Sequence, residues 1–275
     1  MGPMSQTLAQ RDPSGEISIV MPVLNGMPWI IDAIASVISQ TVAAELIIID
    51  GGSTDGTREW LTHHAPAATR VVAGRDSGQS EAIAKGLAMA SGRILGWLNA
   101  DDLMEPGAFE AVLAAFHEHP EAPAVSGACW TIDEDGAITG RIDPPPDGSL
   151  VGLLGHPRNL AQPATFFAAE AYRRTTGLDL GLHYAMDVDL WLKLARNGPV
   201  ILLRDQVLAR FRIHASAKSS RAATAMVRED LRVRWRHGMP VLGRSSLTLM
   251  RWVYLRPLKE RLGRLLAHRV RHEDS

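Results

Sequence analysis

Residues 94–102 (ILGWLNADD) constrain this chain most, because a short apolar run stops there abruptly on two adjacent carboxylates. Ile94, Leu95, Trp97 and Leu98 read as one buried strand of a parallel sheet, whose strands are covered on both faces. Asp101 and Asp102 then fall at its carboxyl end, where open α/β sheets gather their ligands. Two neighbouring carboxylates repel, so they suit a divalent cation, Mn2+ or Mg2+, shared with the phosphates of a nucleotide. They suit equally a plain turn in which Asp102 caps a helix opening near Pro106.

The same arrangement recurs upstream. Residues 17–21 (ISIVM) form a short apolar strand closed by Pro22, and Ile30, Ile31, Ile34, Val37 and Ile38 follow at helical spacing. Residues 46–50 (LIIID) form a second strand ending on Asp50. The GGSTDGTREWL that follows supplies a tight turn and then Ser53, Thr54 and Asp55 as candidate caps of a helix through Leu61. Residues 70–73 are a third strand and 79–90 a helix ended by Gly92. Strand and helix alternate four times in about 85 residues, the pattern of a mostly parallel sheet with helices on both faces. Three strand ends then bring Asn25, Asp50 and the Asp101–Asp102 pair to one edge. A nucleotide pocket fits there. A dinucleotide-binding dehydrogenase does not, since PVLNG replaces G-x-G-x-x-G after the first strand, and no P-loop motif is present.

The second half departs from this pattern. Residues 106–119 read as a helix, 124–132 (AVSGACWTI) as a strand, and the acidic turn 133–136 leads into a return strand, which makes a hairpin and a smaller mixed subregion. Residues 143–160 concentrate proline and glycine, as in a mobile loop beside a site or a surface connection. Residues 162–168 are a strand leading into a short helix. HYAMDVDLWLKLARNG is a buried helix with Asp187 and Asp189 at its start, ended by Asn197 and Gly198.

Composition sets the remaining bounds. The net charge of −1 conceals 13 Lys/Arg against 5 Asp/Glu from Arg221 onward, on an otherwise acidic body. The expected organisation is a polar, disordered leader over 1–15, a catalytic domain over 16–220 and a basic helical C-terminal extension over 221–275. In that extension Leu255, Leu258, Leu262, Leu265 and Leu266 recur at helical spacing among arginines. Such a helix fits the surface of an anionic membrane, and fits equally a stripe packed on the body or on a second subunit in a homodimer. With one cysteine, Cys129, an internal disulfide is excluded and a reducing cytoplasm is expected, with any membrane contact peripheral at its inner face. No nucleic-acid partner is expected.

Taken together, ISIVMPVLNG, ELIIIDGGSTDGT, GQSEAIAKGLAMASG, ILGWLNADD, QPATFFAAEAYRRTTGLD, YAMDVDLWLKLA and RFRIHASAKSS resemble, in order and spacing, the inverting nucleotide-sugar glycosyltransferases of family two, which have the GT-A fold. The resemblance covers roughly residues 16–220. It implies a donor site along Pro22, Val23 and Asn25, at Asp50, Gly51 and Ser53, at Asp76, Gln79 and Lys85, and at Asn99, Ala100 and Asp101. It also implies Asp101, Asp102 and His214 around a divalent cation, Asp187 as catalytic base, and Gln162 and Asp189 toward the acceptor. The implied partners are a UDP- or dTDP-sugar and a hydroxyl acceptor in polysaccharide or glycoconjugate synthesis. Two departures stand out. Asn99 replaces the first acid of the common D-A-D-D, and Gly51 replaces the second acid of the common D-D-G-S. The weighed alternatives are a sugar-phosphate nucleotidyltransferase, for which MPVLNG lacks a basic triphosphate loop, and a non-catalytic nucleotide-sugar-binding relative.

Overall fold

A computed structural model describes residues 15–67, 69–157, 159–215, 223–241 and 243–251. Its first half is the expected alternation: β1 (Ile17–Val23), α1 (Ile30–Ile38), β2 (Ala44–Asp50), α2 (Thr57–His64), β3 (Thr69–Ala73), α3 (Gln79–Met89) and β4 (Ile94–Trp97). All of β1 and β4, and β2 from Glu45 on, are buried, as strands sandwiched between helix layers must be. The order β3-β2-β1-β4 is parallel throughout. The chain builds outward from β1 to β3 and then returns to the other side of β1. Such a reversal opens a crevice between the ends of β1 and β4.

Beyond β4 the pairing changes. After β5 (Leu103–Met104) and α4 (Ala108–Glu118), β6 (Ala124–Ile132) and β7 (Ile138–Ile142) form the expected hairpin. The long strand β9 (Ile201–Arg212) runs parallel to β6, while β8 (Thr165–Ala168) lies antiparallel between β4 and β6. The sheet therefore mixes directions on the side away from β3.

The proline- and glycine-rich stretch 143–160, read as a loop, contains a helix, α5 (Leu150–Gly155). Ser149 caps it by accepting the Gly152 N–H at 3.0 Å, and Leu153 and Leu154 enter the core. After the short α6 (Ala169–Arg173), α7 (Met186–Leu194) packs on the sheet through Trp191, whose ring stacks on Trp97 of β4 at 5.2 Å between centroids. Phe167 of β8 completes this aromatic cluster.

The described part of the basic extension is not a separate arm. It forms α8 (Ala223–Arg236) and α9 (Arg244–Met250), and Leu231, Val233, Met239 and Leu249 share one core with Trp97, Phe167 and Trp191. The leader 1–14 and the leucine stripe from Leu255 lie outside the described residues. Among the described residues no helix is long and apolar enough to cross a membrane.

Candidate active site

The crevice between β1 and β4 is built first by two loops that hold each other. After β1, Asn25 adopts the left-handed region at φ 58°, which asparagine tolerates. This turns three successive backbone N–H groups toward the loop after β2. Asn25 N–H donates to Ser53 Oγ at 2.8 Å, Gly26 N–H to Thr57 Oγ1 at 3.0 Å and Met27 N–H to Asp55 Oδ2 at 2.9 Å. In return the Asn25 side chain accepts the Thr54 N–H. Ser53, Thr54 and Asp55 thus clamp the neighbouring loop, and Asp55 also accepts the Thr57 N–H at the start of α2, although the cap position itself is taken by Gly56 rather than by any of the three. Pro22 and Val23 are buried in β1 and form the floor beneath this turn.

Asp50, at the end of β2, is wholly buried. Its carboxylate accepts the backbone N–H groups of Gly52 and Ser53 and the Arg58 Nε–H at 3.0 Å. Burial by itself would raise its pKa. The bonds from Ser53, Arg58 and Gly52 outweigh that and hold Asp50 below the usual carboxylate value. The Asp76 carboxylate lies directly over Gly51, and a Cβ there would stand 2.7 Å from Asp76 Oδ2. Gly51 and Asp76 therefore fit as a pair: the second acid missing after β2 is replaced in space by one from the loop before α3.

At the end of β4, Asn99 is a hub. Its side-chain oxygen accepts from Gln79 Nε2 at 2.7 Å, and its amide nitrogen donates to Asp102 Oδ2 and to Gln162 Oε1, both at 3.0 Å. Gln162 in turn donates to the Trp97 carbonyl. An amide can accept and donate at once, whereas a carboxylate only accepts, so Asn99 suits this place better than the acid it replaces. Ala100 is buried against the turn after β1, where Gly26 leaves room for it.

The adjacent acids part company. Asp102 does not cap the following helix, nor does it stand beside Asp101 as a second open ligand. It has no exposed surface and is consumed by the Arg212 backbone N–H at 2.9 Å and the Asn99 amide. Burial, and then the charge of Asp101, push its pKa well up. Asp101 keeps exposed surface, and its Oδ2 lies 2.9 Å from His214 Nε2, a partner 113 residues away. His214 is itself buried and packs on Trp29, with ring centroids 4.2 Å apart.

Sequence reasoning missed what holds this pair together. The buried Arg212 donates from Nε to the Asp101 carbonyl and from a terminal nitrogen to the carbonyls of Asp133 and Glu134, while its guanidinium lies over Trp29. The available signal was the RFRIH spacing, because residues two apart on an extended strand share a face. Nothing pointed to Trp29.

Among the described residues, no three His, Cys, Asp or Glu side chains form a ready-made metal cage. The donors at hand, one accessible carboxylate oxygen and one imidazole nitrogen, fit a cation that takes its remaining ligands from a bound diphosphate and water. Asp101 and His214 would hold such a cation, with Asp102 fixing the turn from behind. Lys85 is not gathered with these groups. It is exposed on α3, where its charge acts on Glu81 one turn back.

Asp187 and Asp189 occupy opposite faces of the first turn of α7. Asp187 shares its face with Trp191, four residues on, and so is turned toward the Trp97 end of the sheet. Protein packs densely around its carboxyl although some surface remains, and burial, with a further contribution from the negative Asp230, pushes its pKa up to about 7. Asp189 faces the other way, accepting from Lys193 Nζ at 2.6 Å and lying 2.8 Å from His237 Nε2. Burial would raise its pKa, but His237 and Lys193 outweigh it and hold Asp189 low. The expectation that Asp189 faces an acceptor meets a buried carboxylate paired with Lys193 and His237, and Gln162, expected on the same side, belongs to the Asn99 hub.

Carboxylates gathered at the ends of parallel strands beside a topological switch point are the arrangement of a ligand-binding α/β protein. The chain belongs to the family described as Glycosyl transferase family 2, whose profile matches residues 18–166. Its relatives include chondroitin synthase of Escherichia coli, 28% identical over 186 residues, 66% of this chain and 27% of that protein. The minor teichoic acid biosynthesis protein GgaB of Bacillus subtilis is 34% identical over 110 residues, 38% of this chain and 12% of that one. The chain thus spans about a quarter or less of these relatives. Among solved structures, the mannosyltransferase PcManGT from Pyrobaculum calidifontis, in complex with GDP-Man and Mn2+, aligns with a TM-score of 0.64 and 20% identity, over 89% of this chain and 72% of that one. S. aureus TarS 1-349 with UDP-GlcNAc aligns at 0.62 and 14%, over 86% and 70%. The fold is GT-A, and the nucleotidyltransferase alternative falls with the family assignment.

Proposed function

We propose that this protein transfers a sugar from a nucleoside-diphosphate sugar to an acceptor hydroxyl, with inversion at the anomeric carbon. The observation that carries the reading is the contact of Asp101 with His214 at the mouth of the crevice, because it sets a carboxylate and an imidazole where a donor diphosphate would lie. Asp50 and Asp76 border the pocket for base and ribose. The N–H groups of the turn after β1 are already engaged by Ser53, Thr57 and Asp55, which keeps that wall rigid. A divalent cation, Mn2+ or Mg2+, when bound supplies positive charge to the departing diphosphate. Asp187 takes the proton from the acceptor hydroxyl as the new bond forms on the face opposite the leaving group. The bond from the anomeric carbon to the diphosphate breaks, and its electron pair leaves with the diphosphate. A base with a pKa of about 7 suits this role at neutral pH, being about half ionised yet basic enough to hold a proton. The acceptor in this reading is a hydroxyl of a polysaccharide or other glycoconjugate, a choice that the names of the chondroitin synthase and teichoic acid relatives support.

The test is a panel of UDP-, dTDP- and GDP-sugars with Mn2+, read by thermal shift and by release of nucleoside diphosphate. One donor is expected to raise the melting temperature, since a ligand at 100 times its Kd stabilises by about 2.7 kcal/mol, and to be hydrolysed slowly without an acceptor. Binding without any turnover would favour a non-catalytic nucleotide-sugar-binding protein. Neither binding nor turnover with any donor would sink the proposal.

A further inference from the structure

Helix α7 opens without a cap of its own, since Ala185 stands at its N-cap and offers no side-chain acceptor. The first N–H groups of a helix and those just before it still need acceptors. Those of residues 183–185, which lead into the helix, are met from α8. The Glu229 carboxylate accepts the backbone N–H groups of His183, Tyr184 and Ala185, the last at 2.8 Å and 44 residues away in sequence. Three charge-assisted bonds to one carboxylate fix the path of the chain into the helix, and the negative charge sits at the positive end of the helix dipole. Asp187 follows two residues later.

Helix α8 is itself anchored. The guanidinium of Arg234, almost wholly buried, pairs with Asp230 at 2.8 Å and donates to the carbonyls of Leu153 and His156 and to the Asn159 side chain. From the other side, Ser80 of α3 donates to the Leu182 carbonyl at 2.7 Å, so the segment entering α7 is held between α8 and the donor half.

We propose that Glu229 is a positioning residue for the base: by gathering the N–H groups of residues 183–185 it sets where the Asp187 carboxylate stands relative to the crevice. The inference rests on the reading of Asp187 as the base. It gives the basic C-terminal extension a part in catalysis, because Glu229 lies beyond residue 220. The charged groups that bear on Asp187 from α8 are Asp230, which disfavours its ionisation, and Arg234, which favours it. The bonds to the backbone N–H groups of residues 183–185 come from Glu229.

The experiment is a double-mutant cycle on the full chain with Mn2+, following release of nucleoside diphosphate from the best donor of the UDP-, dTDP- and GDP-sugar panel. Glu229→Ala is expected to lower kcat by about 10- to 100-fold with donor KM unchanged within about twofold, because small displacements of a reacting group cost that much. Glu229→Gln, which keeps an acceptor oxygen, should recover part of the loss. In the Asp187→Asn background Glu229→Ala should have no further effect. An equal fold loss in both backgrounds, a loss confined to donor KM, or no loss at all would overturn the inference. Full kcat in Asp187→Asn alone would instead remove the base assignment. A measurement that needs no turnover is the carboxyl 13C titration of Asp187, assigned with Asp187→Asn. Its midpoint should move from about 7 toward the ordinary carboxylate range in Glu229→Ala as the carboxyl gains water. An unmoved midpoint would overturn the inference as well.

Discussion

The donor edge and the base helix solve the same problem, holding a carboxylate in place, in opposite ways. At the donor edge Asp50 leaves the end of a buried parallel strand and its loop bonds to the turn after β1 within a short span of chain, while Asp101, just past β4, is met by His214. At the base helix Asp187 sits on an element whose start is tied by Glu229 of α8 and whose seat is set by Trp191 on Trp97. The donor edge is rigid because its backbone is rigid. The base helix is only as well placed as its docking, so the two regions should respond differently to substitution.

The largest expected effect lies at the base. Asp187→Asn should lower kcat by about 10²–10⁴ and leave donor affinity nearly intact, since the amide keeps size and polarity but cannot accept the proton. A comparable loss of donor affinity, measured by thermal shift, would mean that the two regions are not separable. The donor edge should show the converse. Asp101→Asn, or a chelator in excess, should cut turnover by about 10²–10³ and weaken donor binding together, with Mn2+ or Mg2+ restoring the chelated enzyme. Full activity in chelator would leave Asp101 and His214 as a structural pair.

The next test concerns the Asn99 hub. Asn99→Asp restores the acid common at this place, yet it removes two donated bonds and sets a charge beside the buried Asp102. A loss of about 2 kcal/mol is expected, seen as a fall of about 4–8 °C in melting temperature. An unchanged melting temperature would show that the amide is not needed.

The smallest effect sharpens the contrast between neighbouring acids. The pKa of Asp187 is raised to about 7, so the folded protein holds a proton there that the unfolded chain releases near pH 4. Stability from this group is therefore present at low pH and is lost as pH rises from about 4 to 7. Asp187→Asn should then be more stable than the parent at pH 8, by on the order of 1–3 kcal/mol, and equal to it near pH 4. Asp189 has the opposite sign. Its pKa is depressed, chiefly by His237 and Lys193 against the cost of burial, so its charge stabilises at neutral pH and that stability is lost only as pH falls below the ordinary carboxylate range. Asp189→Asn should destabilise at pH 7 and leave kcat nearly unchanged. Melting curves of both variants from pH 4 to 8 check the pair of signs, and parallel curves would refute them.

How much of this was legible follows from the range of the interactions. The strands ending on Asp50 and Asp101 were readable because burial on both faces writes itself as an uninterrupted apolar run, and a ligand edge follows from where such runs stop. The clamp by Ser53 and Asp55 was half readable: Asp55 bonds the first N–H of α2 from the place before its cap, Gly56, but both also hold the neighbouring turn after β1. The stretch 143–160 was misread, since two buried leucines decided for a helix against its proline and glycine content.

By itself the sequence determined the alternation of strand and helix, the edge at which the acids collect and the helix that carries Asp187, because each depends on local periodicity and on solvent being excluded from apolar runs. Only the tertiary structure decided which acid of each neighbouring pair is available. Asp101 meets His214 across 113 residues while Asp102 turns inward to Arg212, and Asp187 lies on the Trp191 face of α7 while Asp189, on the other, is paired with Lys193 and His237. The reason is physical: the pKa and direction of a carboxylate are set by burial and by charges that long-range packing brings beside it, and no pattern along the chain specifies those neighbours.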